Sequence, residues 1–146
     1  MNSYFPDVNV WVSLTTRRHL FHEVARKWFE QVDSGRVYFC RLTQLGFLRL
    51  LTNPSVMNAD VKTQVQAWRA YDLLLGDERV VYHPEPDAGE LDRQLRLLTS
   101  KAQFSTKDWP DAYLVAFAIT GGLTLVTSDR AMKKMAEGPC VLLSAD

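Results

Sequence analysis

Three aspartates stand where apolar strands give way to helices or in a helix's first turn: Asp7 in Phe-Pro-Asp-Val-Asn, Asp111 in Asp-Trp-Pro-Asp-Ala-Tyr-Leu, and Asp129 in Leu-Val-Thr-Ser-Asp-Arg. Carboxylates brought to one place repel one another, and one would hold a proton unless a cation offset the charge. An oxygen-only ligand set selects magnesium or manganese over zinc. Such an ion lowers the pKa of a bound water and acts as a Lewis acid. Asn9, Thr127 and Ser128 add uncharged oxygens able to orient the acids through hydrogen bonds, although Ser and Thr before a helix are also ordinary turn residues. Taken singly, Asp7 and Asp129 are explained as helix N-caps, and Asp111 as negative charge suited to a helix dipole. The metal reading rests on all three meeting at one edge of a sheet.

The elements that would position them follow from periodicity. Strands are expected to end near Asp7 and to cover Val37–Cys40, Val80–Tyr82, Leu123–Val126 and Val141–Leu143. Apolar spacings of three and four predict helices over Phe21–Ser34, Thr43–Leu51, Asp60–Leu75 and Ala88–Leu98, with a buried turn or two at Val8–Leu14 and a short helix at Ala131–Ala136. Val61, Val65, Trp68 and Leu73 form the apolar face of the Asp60 helix. Thr99–Lys107 reads as a loop. Asp108 is expected to cap a helix that has Pro110 in its first turn and stops at Gly121-Gly122. Alternating strands and helices imply one three-layer α/β domain over residues 1–146, its mostly parallel central sheet flanked by helices. In such a sheet, right-handed crossovers put the ends before Asp7 and Asp129 on the same edge. Asp111 joins them only if the preceding loop returns there.

Composition excludes several classes. At 146 residues, 47% of them apolar, the chain is long enough to bury a core and too apolar to be disordered. Lys plus Arg equals Asp plus Glu at 17 each, so any nucleic-acid contact must be local rather than a general basic footprint. Cys40 and Cys140 lack metal-ligand or disulfide spacing, and no signal-peptide pattern or long apolar run occurs, which reads as a cytoplasmic protein without a membrane span. His19 and His22 are three apart, but no further ligand completes a zinc site. No Ser-His or Cys-His pair argues for a side-chain nucleophile.

Four ordered pieces carry a resemblance: Asp7-Val8-Asn9-Val10; the stretch from Thr43 to Pro54; Asp111-Ala112-Tyr113-Leu114 with Ala116; and Leu125-Val126-Thr127-Ser128-Asp129-Arg130. Together they resemble the PIN-domain ribonucleases, and more narrowly the VapC toxins of bacterial toxin-antitoxin pairs. The resemblance implies a metal-dependent endoribonuclease that cleaves single-stranded RNA with magnesium or manganese, leaving a 5′-phosphate and a 3′-hydroxyl. It also implies a small cognate antitoxin as partner. A homodimer is expected; Phe47, Leu48 and the Trp68–Leu75 region are open equally to a dimer contact, an antitoxin groove or burial in the core.

By position, three of the family's acids fall on Asp7, Asp111 and Asp129. Many relatives carry a glutamate in the helix after the second strand, and here Gly46 stands in the corresponding place. The departure is consistent with a three-acid subgroup, compensation by Asp108, or weakened metal binding. Arg49 and Arg130 are candidate RNA phosphate contacts, equally open to pairing with the acids. Trp11, Trp109 and Tyr113 are candidates for stacking on bases, with core packing the better reading of Trp11. Two other functions remain open: a catalytically weakened PIN-like module that binds RNA or protein, and a haloacid-dehalogenase-type phosphoryl transferase. The latter is disfavoured because Asn9 occupies the place of that class's second aspartate.

Overall fold

The computed structural model describes residues 2–145, so of the expected 1–146 span only the two terminal residues lie outside it. Five strands form one parallel sheet: β1 (Ser3–Pro6), β2 (Arg36–Phe39), β3 (Val80–Tyr82), β4 (Thr124–Thr127) and β5 (Cys140–Leu142), in the order β3-β2-β1-β4-β5. The order runs outward from β1 in both directions, so a topological switch point falls between β1 and β4, where parallel sheets open a crevice beyond the strand ends. In register, Pro6 pairs with Val126. The backbone N–H of Asp7 extends that ladder by donating to the Val126 carbonyl at 2.9 Å.

The helices are α1 (Val8–Thr15), α2 (His22–Gln31), α3 (Arg41–Leu51), α4 (Pro54–Met57), α5 (Gln64–Leu75), α6 (Ala88–Leu98), α7 (Asp108–Gly121) and α8 (Arg130–Met135). Alternation along the strands assigns them to two layers. Phe5, Cys40 and Leu125 pack with Leu91 of α6, Phe117 of α7 and Met132 of α8. Val37 and Phe39 pack with Trp11 of α1, Phe47 of α3 and Tyr71 of α5. Both faces of the sheet are therefore covered, as an all-parallel sheet requires. Among the described residues no helix is long and apolar enough to cross a membrane.

Several boundaries differ from those expected. The helix foreseen over Asp60–Leu75 is broken: Asn58–Asp60 is a single 3₁₀ turn, and α5 begins only after Thr63. The Thr63 hydroxyl accepts from the Gln66 N–H while the Gln66 side chain accepts from the Thr63 N–H. This reciprocal cap fixes the start more firmly than apolar spacing does. Asp108 makes no cap hydrogen bond; it lies inside the first turn of α7, preceded by Lys107. The expected apolar face of α5 is inverted, with Ala67 and Tyr71 buried, and Val61, Val65, Trp68 and Leu73 exposed. Helix periodicity cannot say which of two apolar stripes meets the core when small Ala67 permits the closer approach. Of the residues open to a core or a contact role, Phe47 is fully buried and its neighbour Leu48 is half-buried.

Trp11 is a core residue, as its size suggested. Its ring stacks on Phe39 with centroids 3.8 Å apart. Its indole nitrogen is buried without a hydrogen-bond partner among the described residues. Trp11→Ala should cost about 3–5 kcal/mol in urea denaturation. Trp11→Phe should cost less than half as much, because it also removes an unpaired buried N–H; equal losses for the two would count against this packing.

Candidate active site

Asp7 is the first residue past β1 and the N-cap of α1. Its Oδ1 accepts from the Val10 N–H at 3.1 Å, while its Oδ2 accepts from the Thr127 hydroxyl. That hydroxyl oxygen accepts in turn from the Asp129 N–H at 3.0 Å. Thr127 thus links the first acid to the last across the switch point. Asp129 caps α8, its Oδ1 accepting from the N–H groups of Ala131 at 2.8 Å and Met132 at 3.4 Å, and its Oδ2 makes no hydrogen bond among the described residues. Capping and site formation are therefore not alternatives, since the caps are what aim these carboxylates.

Asp111 sits in the first turn of α7, where its negative charge suits the helix dipole. The preceding loop does return to the sheet edge, and Asp7, Asp111 and Asp129 line one cavity of about 410 Å³. The half-buried Asp111 carboxylate makes no hydrogen bond or ion pair among the described residues. Burial, then Asp129, then Asp108 push its pKa up. Asp7 is only 4% exposed, and burial raises its pKa to about 6 against the lowering effect of Thr127 and Val10, with Asp111 and Asp129 adding to the rise.

Among the described residues no three His, Cys, Asp or Glu side chains are already drawn into a ligand set for one ion. The three acids share a cavity without forming such a set. Their donor chemistry nevertheless suits a hard divalent cation: all oxygen, partly buried, and lacking a compensating positive group in ion-pair contact.

Asn9, exposed, lines the cavity, as does Arg49. Ser128 is half-buried beside Thr127 and is not part of the lining. Arg130 is exposed in the first turn of α8, outside the lining, and neither arginine forms an ion pair among the described residues. Trp109 is 57% exposed in a separate depression with Asp108. Asp108 lines that depression rather than the acidic cavity, although it acts on Asp111 through space. Tyr113 is committed elsewhere, donating to the Glu85 carboxylate at 2.8 Å. His22 Nδ1 lies 2.8 Å from the Ser13 carbonyl and His19 Nδ1 accepts from the Phe21 N–H at 3.1 Å, so one nitrogen of each imidazole is taken up by local structure.

Gly46 lines the same cavity. A Cβ built there would lie 2.7 Å from Cγ2 and 3.3 Å from Cγ1 of Val8, a stiff β-branched side chain one residue past Asp7. A side chain at position 46 therefore conflicts with the close approach of α3 to the start of α1. The walls carry no sequence signal: Leu42, Leu45, Leu114 and Met132 also line the cavity. At helical spacing, such residues look like ordinary core.

Between about pH 4 and 6 the folded protein keeps a proton on Asp7 that the unfolded chain, near 3.8, has released. Stability should therefore fall as pH rises through that window, and Asp111 adds the same sign. Without added metal, Asp7→Asn should raise stability at pH 7 by about 2 kcal/mol and flatten this slope. An unchanged pH profile in denaturant melts would refute the assignment. Gly46→Glu should lose about 2 kcal/mol, partly restored by adding Val8→Ala; a fully stable single variant would show that the helix contact is not limiting.

Residues 4–138 match the PIN domain family. The chain is 42% identical over 130 residues to Ribonuclease VapC41 of Mycobacterium tuberculosis, covering 86% of this chain and 88% of that protein. It is 30% identical over 127 residues to Ribonuclease VapC44 of the same organism, covering 86% and 85%. The fold also matches the solved structure of VapBC2 from Rickettsia felis bound to a DNA fragment from their promoter, with a TM-score of 0.71, 13% identity, and coverage of 97% of this chain and 98% of that one. With the five-stranded parallel sheet and the acids gathered at its switch point, these likenesses establish that the chain belongs to the PIN-domain family and, within it, to the VapC ribonucleases.

Proposed function

We propose that this chain is a VapC-type endoribonuclease, the toxin of a type II toxin-antitoxin pair, and that Asp7, Asp111 and Asp129 hold magnesium or manganese for cleavage of single-stranded RNA. The observation that carries the metal reading is the pair of half-used carboxylates: Asp111 with no hydrogen-bond partner and Asp129 with a free Oδ2, facing one cavity with buried Asp7. When bound, the ion supplies an activated water and charge neutralisation at the phosphodiester. Everything else falls to the chain itself.

Thr127 holds the Asp7 carboxylate in place and ties it to the turn that carries Asp129, which makes it a positioning residue. Asn9 lines the cavity with its amide free to meet the substrate, and Ser128 lies beside Thr127 in the turn that carries Asp129. Arg49 reaches the cavity from α3 without an acidic partner, free to meet a phosphate with two parallel hydrogen bonds. Arg130, outside the lining, contacts RNA farther along the strand. The apolar walls exclude water around the reacting phosphate and strengthen each charge interaction there.

Residues 1–146 act as one nuclease domain in the cytoplasm, where the RNA substrate and a small cognate antitoxin are found. The exposed Val65, Trp68 and Leu73 of α5 supply the apolar surface for a homodimer or for the antitoxin. The structural neighbour from Rickettsia felis is itself a VapBC complex, which supports the partner assignment.

Asp111→Asn should reduce cleavage of total cellular RNA at least about 100-fold while leaving the thermal melt equal to or above that of the parent. Chelator should do the same to the parent, with activity returning on manganese addition. Activity that survives both treatments would remove the metal mechanism. Tight RNA binding without cleavage in saturating manganese would leave a catalytically weakened binding module, the reading that the absent fourth acid favours.

A further inference from the structure

A second depression of about 340 Å³ adjoins the acidic cavity, and Asn9 and Leu50 line both, so the two form one continuous surface. Its floor includes Val12 and Met57, 2% and 6% exposed, and its rim carries His19, Asn58 and Asp60. Buried apolar side chains flanked by polar groups are the complement of a heteroaromatic ring, whose faces are apolar and whose edge carries donors and acceptors.

The rim is already set for such an edge. The Phe21 N–H occupies His19 Nδ1 at 3.1 Å, so the neutral imidazole carries its proton on Nε2, as a donor. Burial and then His22 keep His19 below the usual histidine pKa, which favours that neutral form. Asp60 is an acceptor, and its loose pair with Arg18, 4.0 Å apart, leaves the rim nearly neutral overall. A neutral rim suits a base better than a phosphate.

The Asn58 side chain makes no hydrogen bond among the described residues. Its backbone, at φ 51°, is the one non-glycine residue there with positive φ. Strain of this kind is retained at ligand clamps, because the side chain is needed where glycine would be easier. The surrounding turns are held by backbone hydrogen bonds, His19 N–H to the Thr16 carbonyl at 3.0 Å and Val61 N–H to the Asn58 carbonyl at 3.3 Å. The depression is therefore formed before any ligand arrives.

We infer that this depression is a base-recognition subsite that takes one unpaired nucleobase of the RNA, next to the scissile phosphate, and reads its edge with His19, Asn58 and Asp60. The inference rests on the ribonuclease reading and deepens it, placing sequence preference in the α1–α2 loop and the 3₁₀ turn rather than among the metal-holding acids.

The test uses the full chain with manganese and a pool of random-sequence single-stranded RNA 20-mers, with cut sites mapped by sequencing the new 5′ ends. The parent should prefer one base, or one pair of bases, by roughly tenfold at a fixed position beside the cut. Asn58→Gly, which removes the amide and relieves the backbone, should reduce that preference to within about twofold and raise KM with kcat little changed. His19→Ala should do the same if its thermal melt matches the parent; if it does not fold, Asn58→Gly decides alone. An unaltered preference in Asn58→Gly, or a uniform loss of cleavage at every sequence, overturns the subsite. A parent without base preference at any position does so too. No cleavage by the parent in manganese would overturn the ribonuclease reading itself, and this subsite with it.

Discussion

One hydroxyl holds the site together. Thr127 donates to Asp7 and accepts from the backbone of Asp129, joining two chain segments 120 positions apart at the point where the sheet changes direction. An ionised carboxylate as enclosed as Asp7 is costly unless its oxygens are hydrogen-bonded. Here both are, one by the first turn of α1 and one by Thr127, and the remaining penalty appears as a raised pKa. The strand pairing of Pro6 with Val126 makes this contact possible, because parallel neighbours in register end side by side.

Around that link the fold gathers negative charge and leaves it unpaired. Arg26, Arg79, Arg93 and Arg96 each pair with an acid, yet all of these pairs lie away from the cavity. Asp111 and Asp129 receive no such partner. A structure that satisfies its surface acids locally and leaves those at the switch point open has concentrated field where a cation and a phosphodiester would meet. The close approach of Gly46 to Val8 limits how many acids share that space. The same contact draws α3 against α1, bringing Arg49 to the cavity wall.

The helices and strands were largely legible because their signals are local. Apolar runs before Asp7 and Asp129, the stop at Gly121-Gly122 and the loop over Thr99–Lys107 all correspond to features of the structure. At Gly122 the reason is explicit, since its φ of 67° closes α7 in a conformation that most side chains resist. Misreadings occurred where a local rule had a rival. Apolar spacing carried the Asp60 helix too far, against the Thr63 cap. Two apolar stripes on α5 left its buried face undecided. Phe47, open to a core or a contact role from its sequence, meets Phe39 edge-on in the core.

The sequence by itself determined the acids, their places at element ends, and the alternation that makes a parallel sheet. These depend on residue type and near neighbours, which are written along the chain. Only the tertiary structure decided that Asp111 returns to the same cavity, that Gly46 has no room for a side chain, and that Leu50 and Asn9 join two depressions into one surface. Each of these is a distance between segments far apart in sequence, and such distances arise only when the sheet order and helix packing close them in three dimensions.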